Sequence, residues 1–315
     1  MFDYRKYENG IYAFDAGYVR PLLAAIHVVE ECGRIALIDT GSNDSLENTL
    51  TFIRQLGLDA DSVDFVILTH IHLDHAGGAG RFMAAFPKAK LVVHQRGARH
   101  MAEPSKLVAG VSAVYGADYV AKVYGEIMPI PVERIMPASD GMEISLAGRL
   151  LQILDTPGHA RHHICIVDQK TNGIFTGDMF GLSYRELDVE GRVFIFPTTT
   201  PTQFDPAEML ESINRLLSFK PAAVYLTHYG QLTQVELMGD CLKKHLDALI
   251  DIALSHKGAG TERHEKMKMS LQSYLLDAIA EHGCALSKQR LLDIWETDIE
   301  LNTQGLEFWV DSQGQ

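Results

Sequence analysis

The chain has 315 residues, 46% hydrophobic and 22% charged, with 28 Lys and Arg against 41 Asp and Glu for a formal net charge of −13. A chain of this length buries a large core in one big or two smaller domains, and its composition is that of a globular protein. The acidic balance repels a phosphate backbone, which argues against nucleic acid as a partner.

No run approaches the roughly 20 apolar residues that a membrane helix needs. The opening Met1-Phe2-Asp3-Tyr4-Arg5-Lys6-Tyr7 lacks the basic-then-apolar order of a secretory signal. Cys32, Cys165, Cys241 and Cys284 stand far apart without a Cys-x-x-Cys pair, so reduced thiols and a cytoplasmic setting are expected. Early strands are expected at residues 11–14, 24–29 and 35–38. Ser42-Asn43-Asp44 can cap a helix whose apolar face is Leu46, Leu50, Ile53 and Leu56, ended by Gly57.

The apolar run at 63–68 reads as a buried strand and leads into Thr69-His70-Ile71-His72-Leu73-Asp74-His75-Ala76-Gly77-Gly78. In extended chain, side chains two apart share a face, so His70 and His72 can grip one ion together. Asp74 and His75 lie past the bend and can face a second. Imidazole and carboxylate suit a borderline divalent ion such as Zn²⁺ or Fe²⁺. A helix around 81–86, closed by Pro87, and a strand at 91–93 follow. Residues 100–137 read as mainly helical and irregular, an insertion of the kind that covers a site.

Further strand ends carry ligand types. The run 150–154 leads into Asp155-Thr156-Pro157-Gly158-His159, 174–176 into Gly177-Asp178, and 222–226 into Thr227-His228-Tyr229-Gly230. Between them Asp205-Pro206-Ala207-Glu208 starts a helix with Met209, Leu210, Ile213, Leu216 and Leu217 on one face. Counting His70, His72, Asp74, His75, His159, Asp178 and His228 gives seven candidate ligands. One tetrahedral zinc takes four at most, so the set points to two ions with Asp178 placed to bridge them. After His228, Val235, Met238, Leu242, Leu246, Leu249 and Ala253 repeat at helical spacing. Lys257-Gly258-Ala259-Gly260 reads as a linker, Met267, Leu271, Leu275, Ala278 and Ile279 as a second helix, and Ser287 opens a third.

Asp39-Thr40-Gly41, His70-x-His72-x-Asp74-His75, Thr156-Pro157-Gly158-His159, Gly177-Asp178 and Thr227-His228 together resemble the metallo-β-lactamase fold superfamily. The likeness is to its glyoxalase II-like and lactonase-like hydrolase branch, and 94–107 resembles a bacterial subgroup. It implies an α/β fold, an αββα sandwich over residues 1–231; the helical spacing at 232–315 adds a C-terminal extension whose apolar faces are plain core, with a cap on the site or a homodimer contact as the alternatives. By resemblance His70, His72 and His159 hold one divalent ion, Asp74, His75 and His228 a second, and Asp178 both. Zinc is expected, with iron or manganese as alternatives. The implied activity is hydrolysis of an ester-like bond in a small molecule, a thioester, lactone or related acyl substrate, with Asp74 handling the proton.

In lactonase-like relatives a tyrosine near the bridging Asp donates to the developing oxyanion; Tyr184 is the candidate here, at a different offset. True β-lactamases usually differ around the position of Asp178, which disfavours antibiotic hydrolysis. Asp39 and His162 are expected to support ligands by hydrogen bonds. Tyr229 lines the mouth or the core, and His27, His94, His163 and His245 read as ordinary histidines. Arg96, Arg99 and Lys106 read as solvated surface, with an anionic substrate group as the alternative. Arg263-His264-Glu265-Lys266 spells the Arg-x-x-Lys element with which glyoxalase II holds glutathione, though closer to His228 than there. Three other readings stand beside hydrolysis. They are an iron-dependent oxidoreductase of persulfide dioxygenase or diiron type, a weakly active binding or regulatory protein, and a nuclease, which the net charge opposes.

Overall fold

Apolar residues at alternate strand positions send side chains to two faces, and that alternation builds the scaffold. The structure, a computed structural model, describes residues 3–313. Its first sheet comprises β1 (Arg5–Lys6), β2 (Ile11–Asp15), β3 (Ala25–Glu31), β4 (Arg34–Ile38), β5 (Val63–Ile67), β6 (Lys90–His94) and β7 (Ile135–Ala138). The second comprises β8 (Glu143–Leu146), β9 (Arg149–Asp155), β10 (Ile164–Asp168), β11 (Gly173–Gly177), β12 (Ala223–Leu226) and β13 (Gly230–Leu232). Spatial order follows chain order in both sheets. In β4, Ile35 and Leu37 enter one core while Ala36 and Ile38 enter the other; in β6, Leu91 and Val93 oppose Val92 in the same way.

The inner core joins the sheets: Val29, Ile67 and Val92 of the first share a cluster with Ile153, Ile166 and Phe175 of the second. Helices α1 (Ser45–Gln55) and α3 (Ala79–Ala85), which flank the one-turn α2 (Leu73–Ala76), cover the outer face of the first sheet through Phe52, Ile53, Phe82 and Met83. β4, β5, β6 and β7 pair in parallel, as do β11 and β12, so each step needs a crossover, and helices supply most of them. Between β6 and β7 the crossover is α4 (Gln95–Ala102), α5 (Ser105–Tyr115) and α6 (Ala117–Tyr124). α7 (Pro206–Ser218) precedes β12, capped by the Asp205 side chain, which accepts from the backbone N–H of Ala207 and Glu208.

Five strands exceed the sequence reading, among them the two-residue β1. β7 carries Pro137 and the short β8 and β13 offer little pattern, while β10 follows so closely on His162-His163 that its apolar run reads as part of the ligand turn. α4 starts earlier than expected because the His94 imidazole accepts the backbone N–H of Arg96 and caps it.

The described residues form two compact units. One holds the chain through Asp155 with His162–Gly177 and Pro221–Thr233, and so both sheets; the other holds Thr156–Arg161, Asp178–Lys220 and everything from Gln234. The second unit carries α8 (Val235–Ser255), α9 (Arg263–His282) and α10 (Lys288–Ser312), with Ser287 capping α10. Its core gathers Trp295 against Phe194 and Phe196, and the Asn302 carboxamide oxygen accepts the backbone N–H of Thr199 at 2.6 Å. Among the described residues no helix is long and apolar enough to cross a membrane, and the four cysteines are free thiols.

His27 lies between the sheets, edge-on to Phe175 and Tyr225. Burial pushes its imidazole down from the ordinary 6.5 to about 4. The unfolded chain therefore takes up a proton between those values that the folded protein refuses. Stability is full above about pH 6.5 and is lost as pH falls towards about 4, by about 3 kcal/mol for this group. Melting temperature followed against pH should fall across that window, and less steeply in His27→Phe.

Candidate metal centre

One buried carboxylate organises the ligand turns. Asp39, the residue after β4, sits at φ 62, a left-handed conformation that Asp tolerates better than most residues. Its Oδ1 accepts the backbone N–H of Thr69 at 2.8 Å, just beyond β5. Its Oδ2 accepts the Thr227 hydroxyl at 2.8 Å, just beyond β12, and the His75 Nδ1 proton at 2.7 Å. Three strand ends from both sheets are thus tied to one side chain that is 1% exposed.

The histidines are oriented by what their Nδ1 atoms meet. A carboxylate or carbonyl can only accept, so a ring nitrogen facing one carries the hydrogen and Nε2 keeps its lone pair. His75 meets Asp39 in this way, His228 meets the Leu23 carbonyl at 2.7 Å, and His159 meets the Thr198 carbonyl at 3.2 Å. This is the outer-shell arrangement that fixes metal-binding imidazoles. His70 Nδ1 lies 3.1 Å from the Thr69 hydroxyl, and its Nε2 faces His72 Nδ1 at 2.9 Å. Two ring nitrogens meeting at that distance must share a proton or a cation.

Asp74 stands on the one-turn α2, its Oδ2 3.5 Å from His75 Nε2 and 3.3 Å from His228 Nε2. Its side chain is 25% exposed, whereas those of His75 and His228 are at 0% and 6%. Asp178 Oδ2 lies 3.4 Å from His159 Nε2. Thr156–Arg161 connects the paired strands β9 and β10 in sequence, and Asp178 is the residue after β11. Three sets of donor atoms each lie within 4.8 Å of one another: His70, His72 and His159; His70, His75 and Asp178; Asp74, His75 and His228. Nitrogen and carboxylate donors in mostly buried groups of three suit a borderline divalent ion, so the residues fit a metal.

Two glycines permit this approach. A Cβ at Gly158, whose φ is +130, would meet the Met209 backbone nitrogen at 2.3 Å, and one at Gly177 would meet the His163 ring and the Thr69 hydroxyl at 2.7 Å. Both positions precede a ligand and leave no room for a side chain.

His162 lies beside two of the histidines, its ring centroid 6.3 Å from that of His70 and 5.6 Å from that of His72. His163, read as ordinary from sequence, stacks on His70 at 5.1 Å. Tyr184 is buried, its hydroxyl donating to the Asp298 carboxylate at 3.0 Å. Tyr229 is buried against Ala13 and Ala25. Arg263 pairs with Asp311 and Glu307, and Lys266 with Glu262, so the Arg-x-x-Lys element is engaged in ion pairs within its own helical region. Sequence reasoning missed the Leu23 and Thr198 carbonyls, because a main-chain acceptor leaves no residue signature.

Residues 19–228 match the family model described as Metallo-beta-lactamase superfamily. The chain belongs to that superfamily. The metallo-beta-lactamase fold-containing protein ST1585 of Sulfurisphaera tokodaii is 28% identical over 245 residues, 76% of this chain and 85% of that protein. Its crystal structure superposes with a TM-score of 0.61. The metallo-beta-lactamase family protein TTHA1429 of Thermus thermophilus shares the fold over 97% of this chain and 94% of its own, with a TM-score of 0.68 at 20% identity. A protein of Aspergillus fumigatus named atrochrysone carboxyl ACP thioesterase is 28% identical over 116 residues, 37% of this chain and 27% of that protein.

Removing the organising carboxylate should loosen the superfamily's metal site in this chain. Asp39→Ala frees His75 to rotate and strands the Thr69 and Thr227 donors. Metal affinity, read by competition with a chromophoric chelator, should fall about 10- to 100-fold. Unfolding free energy should drop by roughly 1–3 kcal/mol.

Proposed function

We propose that the protein is a dinuclear metal-dependent hydrolase of an ester-like acyl bond, a thioester, lactone or related compound. His70, His72 and His159 would hold one ion and Asp74, His75 and His228 the other, with Asp178 as a further ligand. The observation that carries this reading is the placement of Asp74: a partly exposed carboxylate held among imidazoles whose Nδ1 atoms are anchored elsewhere. Two divalent ions, when bound, would lower the pKa of a water towards neutrality and polarise the acyl carbonyl.

The chain's own residues supply orientation and proton handling. Asp39 and the Leu23 carbonyl keep the His75 and His228 rings from turning, so the pocket needs no reorganisation when substrate arrives. Asp74 accepts the proton of the attacking water and returns it to the leaving group, a role that suits a carboxylate with one side open to solvent. The Tyr184 hydroxyl faces Asp298, and the proposed reaction assigns it no step. The thioesterase name of one fungal relative supports the acyl class. Zinc is the ion favoured by the donor set.

Chelator treatment should abolish hydrolysis across a panel of thioesters and lactones, and zinc should restore it. Asp74→Asn should lower kcat by roughly 10²- to 10⁴-fold while elemental analysis still finds metal. Oxygen uptake with a persulfide, and no ester cleavage, would replace this reading with an iron oxidoreductase.

A further inference from the structure

The crossover between β6 and β7 carries an apolar surface that the fold does not bury. In α5, Leu107, Val108, Val111, Val114 and Tyr115 recur at helical spacing, yet no residue of this helix is fully buried. A helix with such a stripe ordinarily packs it away. Here Leu107, Val108, Val111 and Tyr115 lie half-covered against a small cluster of Leu73, Val120, Tyr124 and Ile127, with Tyr18 packed on the same cluster, while Val114 stands exposed. Leu73 immediately precedes Asp74, so the apolar wall begins next to a candidate ligand.

The wall has one polar feature. The Tyr18 and Tyr124 hydroxyls meet at 2.6 Å. Burial, and then the Asp74 charge, push both phenols well above their usual range, and Tyr119 is raised mainly by burial with Asp74 adding to it. All three rings therefore stand within the field of the Asp74 carboxylate and remain neutral donors. Charges in the segment, Lys106, Asp118 and Lys122, are exposed, and the half-buried face carries none.

We propose that α5, α6 and Tyr18 form the subsite for the apolar acyl part of the substrate, an uncharged aliphatic or aromatic chain laid on the α5 stripe with its carbonyl end towards Asp74. The occupant's identity rests on the acyl hydrolysis proposed above. The wall is continuous with the ligand helix through Leu73, and its uncharged lining matches hydrocarbon rather than a peptide or a phosphate.

The test uses metal-loaded protein with acetyl, butyryl and octanoyl p-nitrophenyl esters, alongside calorimetric titration with octanoate. Wild-type kcat/KM should rise roughly two- to fourfold per added methylene. Val111→Ser and Val114→Ser should each cut the octanoyl-to-acetyl ratio about five- to tenfold and weaken octanoate binding by a similar factor. Circular dichroism confirms their folding, and Val114, 37% exposed, is the safer of the two. Val132→Ser, at a position 70% exposed on a separate turn, should leave the ratio unchanged. Short esters cleaved without any chain-length dependence would overturn the subsite and leave the hydrolase reading standing. Octanoate binding that depends on Val111, with no chelator-sensitive ester cleavage, would support an apolar-chain subsite and overturn the hydrolase reading.

Discussion

The site depends on the Asp39 carboxylate more than on any ligand. Parallel strands end at the same edge of a sheet, so their turns are neighbours, but nothing in sheet pairing fixes those turns to a fraction of an ångström. Asp39 does so by accepting from Thr69, Thr227 and His75 at once. Hydrogen bonds from these three residues satisfy the carboxylate despite its burial.

From that anchor the geometry propagates outward in a consistent way. Ring nitrogens away from the centre meet acceptors, and the opposite nitrogens converge. The ligand turns are tight because glycine allows it: Gly158 presses against the backbone of α7 and Gly177 against Thr69. The rings stand close together, His70 with its centroid 4.4 Å from that of His72 and 4.0 Å from that of His75. Such crowding is costly without a cation to share, and it explains why the surrounding hydrogen bonds are so numerous.

Much of this was legible in the residues. Strands announced themselves where apolar runs met a turn, as at Val63–Ile67 before His70 and at Ala223–Leu226 before His228. The tail helices were readable because Leu242, Leu246 and Leu249, or Leu271 and Leu275, keep a helical period and pack as one face. What stayed hidden depends on long-range contact. Thr69 and Thr227 look like ordinary turn residues until Asp39 is brought between them. His163 becomes informative only once β10 places it over His70. The α5 stripe reads as plain core by composition, and only the fold shows it half-uncovered beside Leu73.

The candidate ligands are scattered along the chain, from His70 in an early turn to His228 beyond the last long strand. During synthesis the first histidines leave the ribosome well before the second sheet can exist, and a pair of imidazoles on a flexible segment grips metal poorly. An ion bound by this set would therefore need both sheets in place, and its grip would add to the stability of the finished scaffold.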